Sequence, residues 1–219
     1  MSALDIITVI HNETNAGQVH FLRSDIEQHL HVPYTFEIED NRPINRGFGK
    51  ACNDGSWKGS APIIGFVNPD CRVRGPFFDA VMDGFSNGHS LTVITGSRFG
   101  KPQGEVAAWG LTDWVCGACF FVRRWWFEKV GGFDERYEWS WEETDLCRQA
   151  EYQGYRVKSI DLPIEHKSPE LNLVIINGQM IIPEDLEYKR YWLLRGGEFY
   201  ERKWGRAHQG STHPRRTTA

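Results

Sequence analysis

Apolar positions along this chain follow two rhythms in turn. Residues 5–11 (DIITVIH) form a short, nearly unbroken apolar run rich in β-branched side chains, which predicts a buried strand. After a turn-like stretch over 12–17, Val19, Leu22, Ile26 and Leu30 recur at helical spacing and predict an amphipathic helix that ends before Pro33. The same reading predicts strands at 34–38, 63–67, 91–95, 115–122 and 156–160. Between them it predicts short helices at 47–57 and 125–130, the latter stopped by Gly131-Gly132, and a helix at 140–152 ended by Gly154. Pro76 suits the first position of a further helix carrying Phe77, Val81, Met82 and Phe85. Beyond about Pro169 the pattern weakens into an apolar stretch at 171–182, one or two helices over 184–194 and 198–204, and a tail, QGSTHPRRTTA, expected to be disordered.

Strands alternating with helices imply an α/β fold, with a mostly parallel, Rossmann-like central sheet flanked by helices. The expected organisation is one domain over residues 1–168 and a short helical C-terminal extension over 169–219. In open sheets of this kind ligands bind beyond the carboxyl ends of the strands, so the loops after His11, Ile38, Val67 and Thr95 are the places to look for chemistry.

Composition narrows the partners. The 219 residues carry 25 Lys and Arg against 29 Asp and Glu, a net charge of −4, so no global basic field favours nucleic acid. The only basic cluster is C-terminal, around Arg202, Lys203, Arg206, Arg215 and Arg216. That region is open to three uses: packing on the domain, pairing two subunits into a homodimer, or approaching an acidic membrane surface. The first residues lack the charge and long apolar core of a secretory signal, and no segment is apolar enough to span a bilayer, so the expectation is a soluble, cytoplasmic protein. Five scattered cysteines fit reduced thiols better than a disulfide framework, and Cys116-x-x-Cys119, with no second pair, reads as core packing.

Two constellations carry candidate chemistry. Asn68-Pro69-Asp70 closes an apolar strand; it builds a turn, or it delivers the Asp70 carboxylate to the sheet edge as a ligand for Mg²⁺ or Mn²⁺. Trp139-Ser140-Trp141-Glu142-Glu143-Thr144-Asp145 puts three carboxylates at a helix start. Ser140 and Glu143 have the spacing of a capping box, and the same carboxylates could hold a general base beside aromatic rings. Gly47-x-Gly49-x-x-Cys52 fails as a dinucleotide fingerprint, because residues 40–46, with a proline, separate it from the preceding strand. His166, after Pro163-Ile164-Glu165, is a loop residue or a metal ligand.

Taken in order, these words resemble the family 2 glycosyltransferases of the GT-A fold, and within them the rhamnosyl- and galactosyltransferase-like branch. The resemblance runs through ITVIHNE, NRGFGKACN, FVNPDCRV and the long block DWVCGACFFVRRWWFEKVGGFDERYEWSWEETDLCRQAEYQGYRV, with a fainter echo in FYERKWG. It implies that Asp70 binds the divalent ion and that His166 is a further ligand. It implies donor contacts from Glu13 and Asp40 to the nucleoside, and from His11, Lys50, Asn68, Arg98, Trp114 and Gly117 elsewhere on the nucleotide sugar. Glu143 stands where the family usually has an aspartate base, with Glu142 and Asp145 as neighbours able to share the role. The implied reaction moves a sugar from a nucleotide-diphosphate sugar to a glycan, lipid-linked or protein hydroxyl with inversion; the competing reading is an inactive relative that binds a nucleotide sugar or glycan.

Overall fold

A computed structural model describes residues 2–86, 91–137, 140–166, 174–176, 179–181 and 184–205. Its elements in chain order begin with β1 (Leu4–Ile10), α1 (Glu13–His29), β2 (Tyr34–Asp40), α2 (Phe48–Ser56), β3 (Ile63–Val67), β4 (Cys71–Val73), α3 (Phe78–Ser86) and β5 (Thr92–Gly96). They continue with α4 (Gln103–Ala108), β6 (Cys119–Arg123), α5 (Arg124–Val130), α6 (Glu142–Tyr152), β7 (Arg156–Ser159), β8 (Ile164–His166), β9 (Val174–Ile176), β10 (Gln179–Ile181) and α7 (Glu184–Trp204).

Six strands form the central sheet in the order β2-β1-β3-β6-β5-β7. Pairing is parallel except where β6 lies antiparallel between β3 and β5. Two apolar clusters result. One packs Phe66, Phe120, Trp126, Phe127 and Phe133 with α6, and the other packs Leu22 and Ile26 of α1 with Phe77, Val81 and Phe121. The expected α/β architecture is the observed one. The tail from 206 onward lies outside the described residues.

Several boundaries differ, each for a local reason. The polar stretch at 12–17 is not a turn: Asn12 caps α1, its side chain accepting the Asn15 amide at 2.8 Å, and Glu13 opens the helix a full turn before its apolar stripe begins. Pro76 precedes α3 by two residues instead of opening it. Residues 115–118 are loop, not strand, because the Cys116 amide bonds the Ser97 carbonyl at 2.8 Å and a turn returns the Cys119 amide to the Cys116 carbonyl at 3.2 Å. Of the one or two C-terminal helices expected on either side of Gly196-Gly197, the structure has one, α7. Glycine weakens a helix, but a Cβ on Gly196 would stand 2.6 Å from Cδ1 of Trp141, so the pair lets α7 close directly onto that indole.

The first strand is pinned by a buried ion pair. Asp5 accepts the Arg124 guanidinium at 2.7 Å, the Ala61 amide at 2.8 Å and the Thr35 hydroxyl at 2.6 Å. Arg124 in turn donates to the Ala61 and Ser56 carbonyls at 2.6 and 2.8 Å. Removing one partner strands the other charge. Arg124→Met should therefore lower unfolding free energy by about 3–5 kcal/mol in urea titration; a loss under about 1 kcal/mol would show that water reaches Asp5 readily.

Candidate active site

The site is built where the sheet's topology reverses. The β1–α1 and β2–α2 connections carry the chain to opposite sides of β1, so the crevice between the carboxyl ends of β1 and β3 is the expected ligand position in an open sheet. His11 leaves β1 there and Asp70 leaves β3. His11 Nδ1 and Asp70 Oδ1 are both buried and lack a hydrogen-bond partner among the described residues. Burial pushes the His11 imidazole below its ordinary range, and the Asp70 charge partly opposes that. His166 arrives by the small β4–β8 ladder, in register with Cys71, which sets its Nε2 3.3 Å from Asp70 Oδ2. The Phe99 ring packs on its imidazole at 5.3 Å. Asp70 and His166 therefore form a pair with one carboxylate oxygen unspent, and no third Cys, His, Asp or Glu completes a metal cluster among the described residues. That donor set suits a hard cation that keeps its remaining positions for water or phosphate.

Glu143 is reached from the opposite direction. Because β6 runs antiparallel, its beginning lies at the same edge as the end of β3, and the Asn68 amide bonds the Ala118 carbonyl at 2.8 Å. The adjacent Gly117 amide, together with those of Thr144 and Glu143 itself, faces the Glu143 carboxylate and favours its ionised form. A Cβ on Gly117 would stand 3.3 Å from Glu143 Cδ, so this glycine makes room for the longer acid. Burial raises the Glu143 carboxyl to about 7 against those amides and the Lys101 ammonium. The Cys116 thiol feels both Glu143 and Asp70, so the two acids lie within electrostatic reach of one residue.

The expected capping box does not form. Ser140 and Trp141 both have left-handed backbones, φ 71° and 78°, and no side chain caps α6. Each such residue costs of order 1–2 kcal/mol, which tertiary contacts must offset. The neighbouring carboxyls do different things. Glu142 is 2% exposed with Oε1 unpartnered among the described residues, and burial, then Glu143, pushes it far above the usual carboxyl range. Asp145 is fully buried and accepts Trp204 Nε1 at 2.7 Å, Lys203 Nζ and Gln149 Nε2 at 2.8 Å and the Tyr137 hydroxyl at 3.1 Å.

The remaining expected donor contacts are dispersed around this crevice. Glu13 and Asp40 meet at Arg42, whose guanidinium lies 2.6 and 2.7 Å from them and holds the exposed Asp40 down at about 2. Lys50 pairs with Asp54 at 3.2 Å and Glu135 at 3.7 Å. Arg98 lies 3.9 Å from Asp113 and bonds Gln103. Trp114 is only 4% exposed and donates its indole N–H to Thr144 at 3.1 Å, so it braces α6. Trp139 lies outside the described residues. Sequence reasoning missed Lys101, whose ammonium sits 4.9 and 5.8 Å over the Trp109 and Trp114 rings and pairs with Glu105 at 2.7 Å. No periodicity or motif in the surrounding loop signals it.

No known family model matches this sequence, and neither does any curated protein. Solved structures share the fold. The mannosyltransferase PcManGT of Pyrobaculum calidifontis, solved with GDP-Man and Mn²⁺, is 11% identical with a TM-score of 0.62 over 92% of this chain. This chain spans 64% of that protein's length. A Drosophila β-1,4-galactosyltransferase 7 mutant, solved with manganese, UDP-Gal and xylobiose, is 13% identical at a TM-score of 0.52, covering 85% of this chain and 79% of its own. S. aureus TarS with UDP is 12% identical at 0.54, covering 73% and 58%. The fold is thus the GT-A glycosyltransferase fold that the sequence words implied, with no helix among the described residues long and apolar enough to cross a membrane.

The electrostatics of this edge can be read chemically. Burial, then the Glu143 charge, lifts the Cys116 thiol to about 12. At pH 8 its alkylation by iodoacetamide should be on the order of 10³-fold slower than that of a free thiol; labelling at an ordinary rate would place Cys116 in open solvent, away from both acids.

Proposed function

We propose that this chain is a metal-dependent glycosyltransferase that uses a nucleotide-diphosphate sugar and inverts the anomeric centre. The observation that carries the reading is the pair of acids at one sheet edge: Asp70, with a buried oxygen unpartnered among the described residues, beside His166, and Glu143, packed against Gly117. The neighbours' ligands, GDP-Man or UDP-Gal with manganese, support a donor of the same class here.

Asp70 and His166 would hold the divalent ion. Its chemistry, when bound, is to neutralise charge on the departing diphosphate. An acceptor hydroxyl is a poor nucleophile until its proton is removed, and Glu143 is the group placed to take it. The acceptor oxygen then bonds to the anomeric carbon as the bond to the diphosphate oxygen breaks on the opposite face, inverting the centre. Three backbone amides favour the ionised Glu143, while burial keeps its proton affinity near neutrality, where base catalysis is most effective. The added methylene relative to aspartate is accommodated because residue 117 has no side chain. Glu142, buried and pushed toward its neutral form, and Asp145, fully engaged by four donors, fit supporting roles better than proton transfer.

A thermal-shift panel of UDP-, dTDP- and GDP-sugars with and without Mn²⁺ tests the reading. One donor at about 100 times its Kd should add ~2.7 kcal/mol of stability, dependent on Mn²⁺ in the wild type and absent in Asp70→Asn. Silence from every donor would sink it. Glu143→Gln should keep that shift yet lower turnover by about 10²–10⁴-fold; retained turnover would make the protein's base another group.

The pH dependence follows from a carboxyl whose folded value, about 7, lies above its unfolded one. Its protonated form is favoured by folding, so Glu143 costs stability increasingly as pH rises from the unfolded value through 7, while activity is gained over the upper part of that range. The kcat profile should show an acid limb near 7 that is missing from the residual activity of Glu143→Gln.

A further inference from the structure

The part of the chain that the sequence reading left without a role contacts the base helix on both sides of Glu143. Two residues before the base, Trp141 carries the second of two left-handed turns. Its indole lies directly under Gly196 and Gly197, with the Tyr200 ring at 5.2 Å and Trp109 at 5.5 Å. Two residues after the base, Asp145 takes two of its four hydrogen bonds from α7, at Lys203 and Trp204. Lys203 also reaches Asp134 at 2.8 Å, which ties down the segment leading into α6. Asp134, held by Arg136 and Lys203 against its burial, stays well below the usual carboxylate range. Tyr200 donates its hydroxyl to the Trp109 carbonyl at 2.9 Å, and Phe199 packs edge-on to Tyr137 at 4.8 Å.

A first turn with two strained residues and no side-chain cap has no local means of fixing its own rotation. Trp114 braces it from one side through Thr144, and on the Asp145 side the contacts come from Tyr137 and, with two of the four hydrogen bonds, from α7. A swing of α6 about its axis would move Glu143 off the Gly117 amide, and a charge-assisted bond from Lys203 to a fully buried carboxylate opposes that swing strongly. We propose that α7 is a clamp for the base: Lys203 and Trp204 are positioning residues that act through Asp145 to hold Glu143 on Gly117. This deepens the glycosyltransferase reading and rests on Glu143 being the base.

The test uses the full chain as Lys203→Met, Lys203→Arg, Trp204→Phe and Glu143→Gln. Release of nucleoside diphosphate from GDP-mannose and UDP-galactose with Mn²⁺ gives kcat and donor KM, and hydrogen exchange of the Gly117 amide reads the position of Glu143 without any turnover. Lys203→Met should keep its circular dichroism and donor KM, lose about 10- to 100-fold in kcat, and exchange the Gly117 amide at least about tenfold faster. Lys203→Arg, which keeps the charge and a donor, should recover most of both. Trp204→Phe removes one hydrogen bond with little loss of packing and should shift both readings the same way, which decides the matter if Lys203→Met does not fold. Unchanged Gly117 exchange in a folded Lys203→Met or Trp204→Phe would overturn the clamp whatever the turnover. Unchanged kcat beside an inactive Glu143→Gln would overturn it too and leave the base assignment standing, whereas full turnover in Glu143→Gln would remove the base assignment and the clamp together.

Discussion

The constraint on which the site depends is the direction of one strand. β6 runs against its neighbours β3 and β5, so its beginning, not its end, lies at the carboxyl edge of the sheet. That places Cys116, Gly117 and Ala118 beside Asn68 and Asp70 on one side and Ser97 on the other, with backbone bonds of 2.8 Å to each. Asp70, after the end of β3, and the glycine against which the second acid packs are thereby brought to the same edge. Had β6 been parallel, the Gly117 amide would open at the opposite edge and Glu143 would have no anchor near Asp70.

The electrostatic design follows from how much water each acid has lost and what replaced it. Asp145 is as buried as Glu142, yet its four donors turn it into a structural anchor, while Glu142, with an oxygen unpartnered among the described residues, is pushed toward its neutral form. Glu143 lies between these extremes. Three amides and a lysine offset part of its desolvation and leave it near neutrality. One helical turn thus holds three carboxyls in three environments, set by hydrogen bonding and not by position in the sequence.

Much of the fold was legible because its strands are unbroken apolar runs. β1 and β3 lie within a residue of their expected limits, and the glycines after α5 and α6 end those helices with positive φ. What was not legible depended on tertiary contact. The polar first turn of α1 looked like loop until Asn12 was seen to cap it. The apparent strand at 115–118 bends because Ser97 takes its amide, and the two glycines at 196–197 left one helix or two open because nothing local announces the indole they accommodate. Within the site, Asp70 and Glu143 came from turn and carboxylate patterns together with family resemblance, whereas Lys101 comes from an unpatterned loop and Lys203 from a helix face that the sequence could only describe as basic.

The most direct measurement of the central claim is the paramagnetic effect of bound Mn²⁺ on backbone amide signals in the presence of a nucleoside diphosphate. Strong broadening of His166, Asp70 and Gly117 together, with α1's far end at His29 untouched, is the result this account predicts. Broadening of His166 and Asp70 that leaves Gly117 sharp would contradict it, because cation and base would then belong to separate places on the molecule.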